Sequence, residues 1–299
     1  MKVLLTGAAG QLGQALRQRV PEGIELIASS RGGGEGLLAL DLADAEACRA
    51  AVHEHRPDWV LNGGAYTAVD KAESEPELAL AVNGGAPRAF AEALRETGGR
   101  LLQVSTDFVF NGQQGSPYRP DQSRDPLGAY GATKAAGEEA VQEVLGDSGQ
   151  GVILRTSWVM GPVGKNFALT MLRLHRERGA SGQTLGVVAD QVGCPTSTAT
   201  LAAACWRVIG TSVSEPVLHW SDAGAASWYD VAVAVGELGE ELGLVERMAT
   251  VNPLTTAEFP TPTERPSYSL LDCSRSRPVL ELAPTPWRQA LRQLLEEVA

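Results

Sequence analysis

The stretch LLTGAAGQLG, residues 4–13, decides the fold prediction, because it places three glycines between an apolar run and a segment with helical periodicity. Glycine at this spacing, G-x-x-G-x-x-G, permits a tight turn and lets the backbone approach a pyrophosphate. The helix that follows supplies free amide groups at its N-terminus. We therefore predict a dinucleotide site that includes Gly7, Gly10, Gln11, Leu12 and Gly13.

The chain around this turn alternates strand-like and helix-like segments. The strand-like segments are KVLLT (2–6), IELIASS (24–30), WVLNGGA (59–65), RLLQVSTDFVF (100–110) and GVILRTSWV (151–159). Segments with helical periodicity, such as DAEACRAAVHEHR (44–56), separate them. Right-handed crossovers place such helices on both faces of a parallel sheet, so the pattern predicts an α/β fold with a Rossmann-type, doubly wound parallel sheet.

The alternation becomes less regular after residue 158, and we predict a smaller α/β substrate-binding domain there. The dinucleotide-binding Rossmann domain is assigned residues 1–158 and 196–222, and the substrate domain residues 159–195 and 223–299. Residues 252–286 are rich in proline, threonine and serine but carry Phe259, Tyr268 and Leu271. Ordered loops that line a pocket are the favoured interpretation of this segment, with disorder as the alternative.

Composition excludes several classes of protein. The 299 residues carry a net charge of −11, spread along the chain, so nucleic acid is a poor candidate partner. The first ten residues contain too few apolar side chains for a signal peptide or a membrane span, which predicts a soluble, cytoplasmic protein without a membrane partner. The four cysteines form no C-x-x-C pair, so we interpret them as reduced packing residues and predict no metal site.

The end of the second strand predicts which cofactor is used. A carboxylate there selects NAD, but ASSRGGG (28–34) offers Ser30 and Arg31 instead, which favours NADPH and leaves NADH as the less favoured cofactor. The alternative is that Arg31 only faces solvent. Further along the chain, Asp41 and Leu42 are candidates to contact the adenine ring of the cofactor. The segment NGGAYT (62–67) ends a strand on the side where cofactors bind in such sheets.

The segment AYGATKAAGEEA, residues 129–140, combines a tyrosine and a lysine four residues apart. On a helix Tyr130 and Lys134 lie on the same face, and a nearby ammonium is expected to lower the pKa of the phenol and make it a usable general acid. The strand that ends in Thr106 and Asp107 brings small polar side chains to the same sheet edge. A hydroxyl donor, a tyrosine acid and a lysine beside a nicotinamide are the parts that reduce a carbonyl group.

These residues resemble the extended short-chain dehydrogenases, and within them the dTDP-4-dehydrorhamnose reductases. The resemblance runs nearly end to end and is carried by GAAGQLG, AYTAVDKAESEPELA, STDFVFNG, YGATK, RTSWV, NFALTMLRL, DQVGCPT and ERPSYSLLD. It implies reduction of the 4-keto group of a dTDP-sugar, dTDP-4-dehydro-β-L-rhamnose, by a nicotinamide cofactor.

The resemblance also implies roles for individual residues. The implied catalytic residues are Thr106, Tyr130 and Lys134, and of these Tyr130 and Lys134 are also implied to contact the cofactor. The sugar nucleotide is contacted by Thr106, Asp107, Tyr130 and Trp158, and the segment Ala65, Tyr66 and Thr67 faces the cofactor. Asn83 matches an asparagine near the active site of these enzymes, with a helix-end cap as an equally plausible role.

Two positions depart from the family pattern. Phe108 stands where the family has tyrosine, so any hydroxyl role is lost while packing should survive. Gln14 and Ala15 stand where some members carry a glutamate that bridges a dimer through magnesium. This departure puts magnesium and that dimer in question, and we expect a monomer or a weak homodimer.

Two other functions stay open from the sequence. One is a sugar-nucleotide epimerase or dehydratase of the same superfamily, although dehydratases commonly read T-D-E where this chain has Phe108 after Asp107. The other is a non-catalytic, NADP-binding regulatory subunit. The presence of Thr106, Tyr130 and Lys134 together favours an enzyme.

Overall fold

The computed structural model describes residues 1–211 and 213–298, and a parallel sheet forms its centre. The strands, in chain order, are β1 (Lys2–Thr6), β2 (Glu25–Ser30), β3 (Leu38–Ala39), β4 (Trp59–Asn62), β5 (Arg100–Thr106), β6 (Gly151–Thr156), β7 (Val159–Met160), β8 (Leu185–Val188), β9 (Val192–Gly193), β10 (Thr196–Ser197), β11 (Val217–His219), β12 (Ala226–Ser227) and β13 (Val251–Leu254). The central sheet has the order β11-β6-β5-β4-β1-β2-β3, and its neighbouring strands are all parallel. The predicted Rossmann-type sheet is therefore confirmed.

Helices cover both faces of this sheet. In chain order they are α1 (Gln11–Gln18), α2 (Ala45–His55), α3 (Val69–Ala72), α4 (Pro76–Leu80), α5 (Ala86–Thr97), α6 (Ala129–Leu145), α7 (Phe167–Ser181), α8 (Thr198–Gly210), α9 (Trp228–Glu241), α10 (Ser276–Leu280) and α11 (Trp287–Glu296). On one face Leu16 of α1 packs with Leu201 of α8, and on the other Phe90 of α5 packs with Val141 of α6. The strand order reverses between β1 and β4, which opens a crevice at the carboxyl ends of the strands.

A separate hydrophobic core lies in the second half of the chain. Met171 of α7, Val231 of α9 and Leu294 of α11 pack together against Leu185 and Val251 of the paired strands β8 and β13. The division of the chain at the boundaries given above stays a prediction. The four cysteines are free and buried, as expected for packing residues.

Several strands end earlier than the sequence pattern predicts. The apolar run to Phe110 predicts a continuous strand, but β5 stops at Thr106 and residues Asp107–Val109 form a 3₁₀ turn. The Thr106 hydroxyl accepts a hydrogen bond from the Phe108 amide at 3.2 Å, which turns the chain away from the sheet. Similarly, β4 ends at Asn62 and β6 at Thr156, so the residues that follow them are loops at the crevice.

The proline-rich segment after residue 251 is ordered and contributes β13, a 3₁₀ turn at Thr256–Glu258 and α10. Its central loop reaches back to the first half of the chain, where Arg265 forms an ion pair with Asp70 at 3.0 Å. Among the residues described, no helix is long and apolar enough to cross a membrane.

Candidate active site

The glycine turn after β1 is shaped to receive a pyrophosphate. Gly7 has a φ of +69°, and a Cβ atom there would lie 2.6 Å from the Cα atom of Gly64. A Cβ at Gly13 would lie 2.2 Å from the carbonyl oxygen of Gly7. The first helical hydrogen bond of α1 runs from the Gln14 amide to the Gly10 carbonyl, so the amides of residues 11–13 stay available to a ligand. These residues fit a dinucleotide cofactor.

The residues predicted to select the cofactor lie at the end of β2, with Ser30 as its last residue and Arg31 directly after it. The Ser30 hydroxyl donates to the Gly33 carbonyl at 2.9 Å and shapes the loop that follows. Arg31 is exposed, and its guanidinium has no hydrogen-bond partner among residues 1–211 and 213–298. Asp41 is exposed, whereas Leu42 packs beside Gly64, where a Cβ atom would lie 2.6 Å from its Cδ1.

The loop Ala65 to Thr67 is held by a buried asparagine. The Oδ1 of Asn83 accepts from the Tyr66 amide at 2.9 Å, and its Nδ2 donates to the Tyr66 carbonyl at 3.1 Å and to the Thr133 hydroxyl at 3.1 Å. Asn83 lies within the π-helical turn Ala81–Gly85, which is continuous with α5, so of its two possible roles the helix-end cap is wrong. Asn83 ties the loop after β4 to α6.

Three predicted site residues meet where β5 ends and α6 begins. The Thr106 hydroxyl donates to Asp107 Oδ1 at 3.1 Å, and it lies near enough to the phenol of Tyr130 to affect its pKa. The ring of Phe108 packs edge-on against the ring of Tyr130, with centroids 5.6 Å apart, so packing survives the tyrosine-to-phenylalanine departure. One helical turn later, Lys134 Nζ donates to the Val104 carbonyl of β5 at 2.7 Å.

The expected lowering of the Tyr130 pKa by Lys134 is wrong. Burial raises the pKa of Tyr130 to about 12; the Thr106 hydroxyl offsets part of this rise, and the Asp107 carboxylate adds to it. Burial also lowers the pKa of Lys134 to about 8, although the negative charge of Glu138 raises it in part. Tyr130 therefore keeps its proton at neutral pH, as a general acid must until charge develops on the acceptor.

Asp107 is a buried carboxyl group with an unsatisfied oxygen. Burial raises the pKa of Asp107 to about 6, and the hydroxyls of Ser269 and Thr106 offset part of the rise. Its Oδ2 has no hydrogen-bond partner among the described residues. Such an atom at the carboxyl edge of a parallel sheet is available to a hydroxyl-bearing ligand.

Sequence reasoning missed Glu73, which caps the helix that carries Tyr130. The N-cap of α6 is Gly128, which has no side chain, and Glu73 Oε1 accepts from the Ala129 amide at 2.9 Å instead. A Cβ at Gly128 would lie 2.7 Å from that oxygen and 2.8 Å from Cγ2 of Thr263. Because Glu73 precedes the helix by 56 residues, no local sequence pattern signals this cap.

Sequence reasoning also missed a buried ion pair behind the site. Glu138 lies one turn after Lys134 on α6 and is fully buried. It accepts from Nη2 of Arg155 at 2.7 Å and from Nε of Arg124 at 2.7 Å. Burial alone would raise the pKa of Glu138, but the hydrogen bonds and charge of Arg155 outweigh it, so the pKa lies below its usual value.

Trp158 lies two residues beyond β6, half-buried, with its ring stacked on that of Trp228. Trp228 therefore covers one face of its indole, and a Cβ atom at Gly193 would lie 2.6 Å from its Cε2 on the opposite face, so a ligand can meet only an edge of the ring.

The residues of α1 do not fit the magnesium site considered above. Gln14 Nε2 donates to the Ala9 carbonyl at 2.9 Å, and Ala15 is buried, so no carboxylate stands at this place. Within the described residues, no group of three or more His, Cys, Asp or Glu side chains is arranged to hold a metal ion.

Comparison with known proteins shows which family the chain is similar to. The family model described as RmlD substrate binding domain matches residues 1–299. A dTDP-4-dehydrorhamnose reductase of Streptomyces griseus is 42% identical over 295 residues, covering 97% of this chain and 91% of the relative. A probable dTDP-4,6-dihydroxy-2-methyloxan-3-one 4-ketoreductase of Streptomyces antibioticus is 41% identical over 300 residues, covering 100% of this chain and 96% of the relative.

A solved structure is similar over nearly the whole chain. It is a dTDP-4-dehydrorhamnose reductase of Bacillus anthracis in complex with NADP, with 32% sequence identity and a TM-score of 0.86, and the match covers 99% of each chain.

Proposed function

The chain belongs to the RmlD substrate binding domain family, and from this membership we propose that it reduces the 4-keto group of dTDP-4-dehydro-β-L-rhamnose to give dTDP-L-rhamnose, the last step of dTDP-rhamnose biosynthesis. The observation that carries the proposal is the full-length similarity to a relative of that name at 42% identity. NADPH supplies the hydride that reaches C4 of the sugar.

The protein supplies the proton and the positioning. Tyr130 donates its phenolic proton to the 4-oxygen, and the Thr106 hydroxyl hydrogen-bonds to the same oxygen. Lys134, fixed against the β5 backbone, holds the nicotinamide ribose hydroxyls. Asp107 accepts a hydrogen bond from the sugar nucleotide, and the glycine turn with Arg31 holds the phosphates of the cofactor.

Loss of NADPH absorbance in the presence of purified dTDP-4-dehydrorhamnose tests the proposal, with NADH measured in parallel. The keto-sugar nucleotide of the Streptomyces antibioticus relative serves as the comparison substrate, since that relative is almost equally similar. The expected result is turnover with NADPH and dTDP-4-dehydrorhamnose. NADPH binding without turnover of any keto-sugar nucleotide would instead support a non-catalytic, NADP-binding subunit.

We further propose a cytoplasmic enzyme that is a monomer or a weak homodimer, without a nucleic-acid or membrane partner. The support is the net charge of −11 and the absence of a carboxylate at Gln14 and Ala15.

Arg31→Ala is expected to raise the KM for NADPH by about 10- to 150-fold while changing the KM for NADH little, because a charge-assisted hydrogen bond contributes about 1.5–3 kcal/mol. Steady-state kinetics with both cofactors measures the difference. Arg17→Ala is the matched control, since Arg17 is also exposed and its loss changes the net charge equally. Equal effects of Arg31→Ala on NADPH and NADH would show that Arg31 only faces solvent.

The KM for the keto-sugar nucleotide is expected to rise by about tenfold as the pH falls below the pKa of Asp107, which lies at about 6. Above that pH the carboxylate accepts a hydrogen bond from the sugar, and below it the protonated group loses this charge-assisted bond. Asp107→Asn is the comparison: its KM should be high already at neutral pH and flat across this range. A wild-type KM that does not change through this range would remove Asp107 from the substrate site.

A further inference from the structure

The backbone of Trp158 lies in the left-handed region, with a φ of +46°. Among the described residues two other non-glycine side chains share this region, Arg56 and Glu281, and each of them ends a helix, where the conformation is common. Trp158 ends no helix. A bulky residue in this region costs about 1–3 kcal/mol, and such strain is found mostly where a ligand site needs a particular orientation.

Trp228, the first residue of α9, covers one face of the Trp158 indole. The two ring centroids are 3.7 Å apart and the planes differ by 9°, which is a close parallel stack. Phe167, the first residue of α7, packs obliquely against Trp228, with centroids 4.7 Å apart. All three rings pack against the hydrophobic core of the second half of the chain.

Gly193 lies against the opposite face of the same indole, over the ring-fusion carbon next to the nitrogen. A Cβ atom at Gly193 would lie 2.6 Å from Cε2 and 2.9 Å from Nε1 of Trp158, so only glycine fits there without displacing the ring. Gly193 of β9 pairs with Ala226 of β12, and Ala226 precedes Trp228 by two residues. The pairing of β9 with β12 therefore positions both Gly193 and Trp228 against Trp158.

The main chain of Trp158 is fixed as well. Its carbonyl oxygen accepts from the Thr196 amide at 3.2 Å, immediately before the parallel pairing of β7 with β10. Both the backbone and the ring of Trp158 are therefore determined by β9, β10 and α9, elements that are distant from it in sequence.

We propose that Trp228 and Gly193 are positioning residues that enclose the two faces of the Trp158 indole and hold it in its strained conformation, so that the exposed edge of the indole contacts the deoxyhexose ring of the substrate. Neither residue touches the reacting atoms; both act through Trp158. This inference rests on the proposed function. It assigns recognition of the sugar to Trp158 together with Gly193 and Trp228.

Trp228→Leu is expected to raise the KM for the keto-sugar nucleotide by about 2- to 13-fold, the equivalent of about 0.5–1.5 kcal/mol for a lost aromatic pair. The kcat and the KM for NADPH should change less than twofold. Trp228→Phe keeps a ring on the indole and should restore most of the affinity. Gly193→Ala should raise the same KM by displacing the indole from its other side.

Circular dichroism supplies a readout that is independent of turnover. Two tryptophans stacked in parallel couple their electronic transitions, and the resulting far-UV couplet should disappear in Trp228→Leu and in Trp158→Phe. Tyr229→Leu is the matched control, because Tyr229 is the next residue on α9 and packs against the same core. It should keep the couplet and the wild-type KM even if its melting temperature falls.

The outcomes separate this inference from the proposed function. Loss of the couplet with an unchanged KM in an active enzyme overturns the positioning role alone. An equal rise in KM for Tyr229→Leu assigns the effect to general loosening and also overturns it. A wild type that shows the couplet but reduces no keto-sugar nucleotide contradicts the proposed function instead.

Discussion

Tyr130→Phe is expected to lower kcat for keto-sugar reduction by roughly 10²–10⁴-fold, the usual contribution of a positioned general acid. The variant retains the aromatic ring, so the edge contact with Phe108 at 5.6 Å is kept. Only the hydroxyl is removed, and with it the proton that Tyr130 holds at neutral pH. NADPH affinity and melting temperature should stay close to those of the wild type.

Pre-steady-state measurement of NADPH oxidation checks the first prediction, because it isolates the chemical step from product release. Tyr66→Phe is the matched control: Tyr66 lies on the loop after β4, and its hydroxyl donates to Glu75 at 2.5 Å. A Tyr130→Phe variant that keeps more than about a tenth of wild-type turnover would exclude Tyr130 as the acid.

The fold could be predicted because its signals are local. Each strand and helix of the first half shows its own hydrophobic periodicity, and the glycine turn marks the switch from one to the other. The tyrosine and lysine of α6 were predictable for the same reason, since four residues on a helix bring them to one face.

The parts that could not be predicted depend on contacts between distant segments. The pKa of Tyr130 is set by burial, which arises from tertiary packing and not from the neighbouring lysine. Glu138 and Glu139 are adjacent and chemically identical in sequence, yet the side chain of Glu138 is 0% exposed and that of Glu139 is 65% exposed. The sequence favours an acidic surface for both, and the contacts of Glu138 with Arg155 and Arg124 distinguish them.

Glu138→Ala is expected to lower the free energy of unfolding by about 3–5 kcal/mol, because it removes one partner of a buried ion pair. Arg155 is 2% exposed and loses contacts from both its Nε, at 2.9 Å, and its Nη2, at 2.7 Å. Its charge would stay buried without a carboxylate, next to His219, whose pKa is already lowered to about 3 by burial and by Arg155. Chemical denaturation of wild type and variant measures the loss.

Glu139→Ala controls for the loss of one acidic residue from the same helix. Glu139 is exposed and approaches Arg124 only to 3.8 Å, so its removal should change stability by less than about 1 kcal/mol. Glu138→Gln keeps the shape and a hydrogen-bond acceptor, so it should fall between the two alanine variants. A Glu138→Ala variant as stable as Glu139→Ala would mean that water or a neighbouring group satisfies Arg155.

The Glu138→Gln variant tests whether the ion pair between Glu138 and Arg155 positions the active-site residues in addition to stabilising the fold. Arg155 lies on β6 opposite Ser105 of β5, and Glu138 follows Lys134 by one turn, so the pair joins α6 to the strand next to the one that ends in Thr106. If that connection positions Tyr130 and Lys134, folded Glu138→Gln should lose kcat while keeping its KM for NADPH. Wild-type kcat in that variant, together with the expected loss of stability, would assign the ion pair to the fold alone.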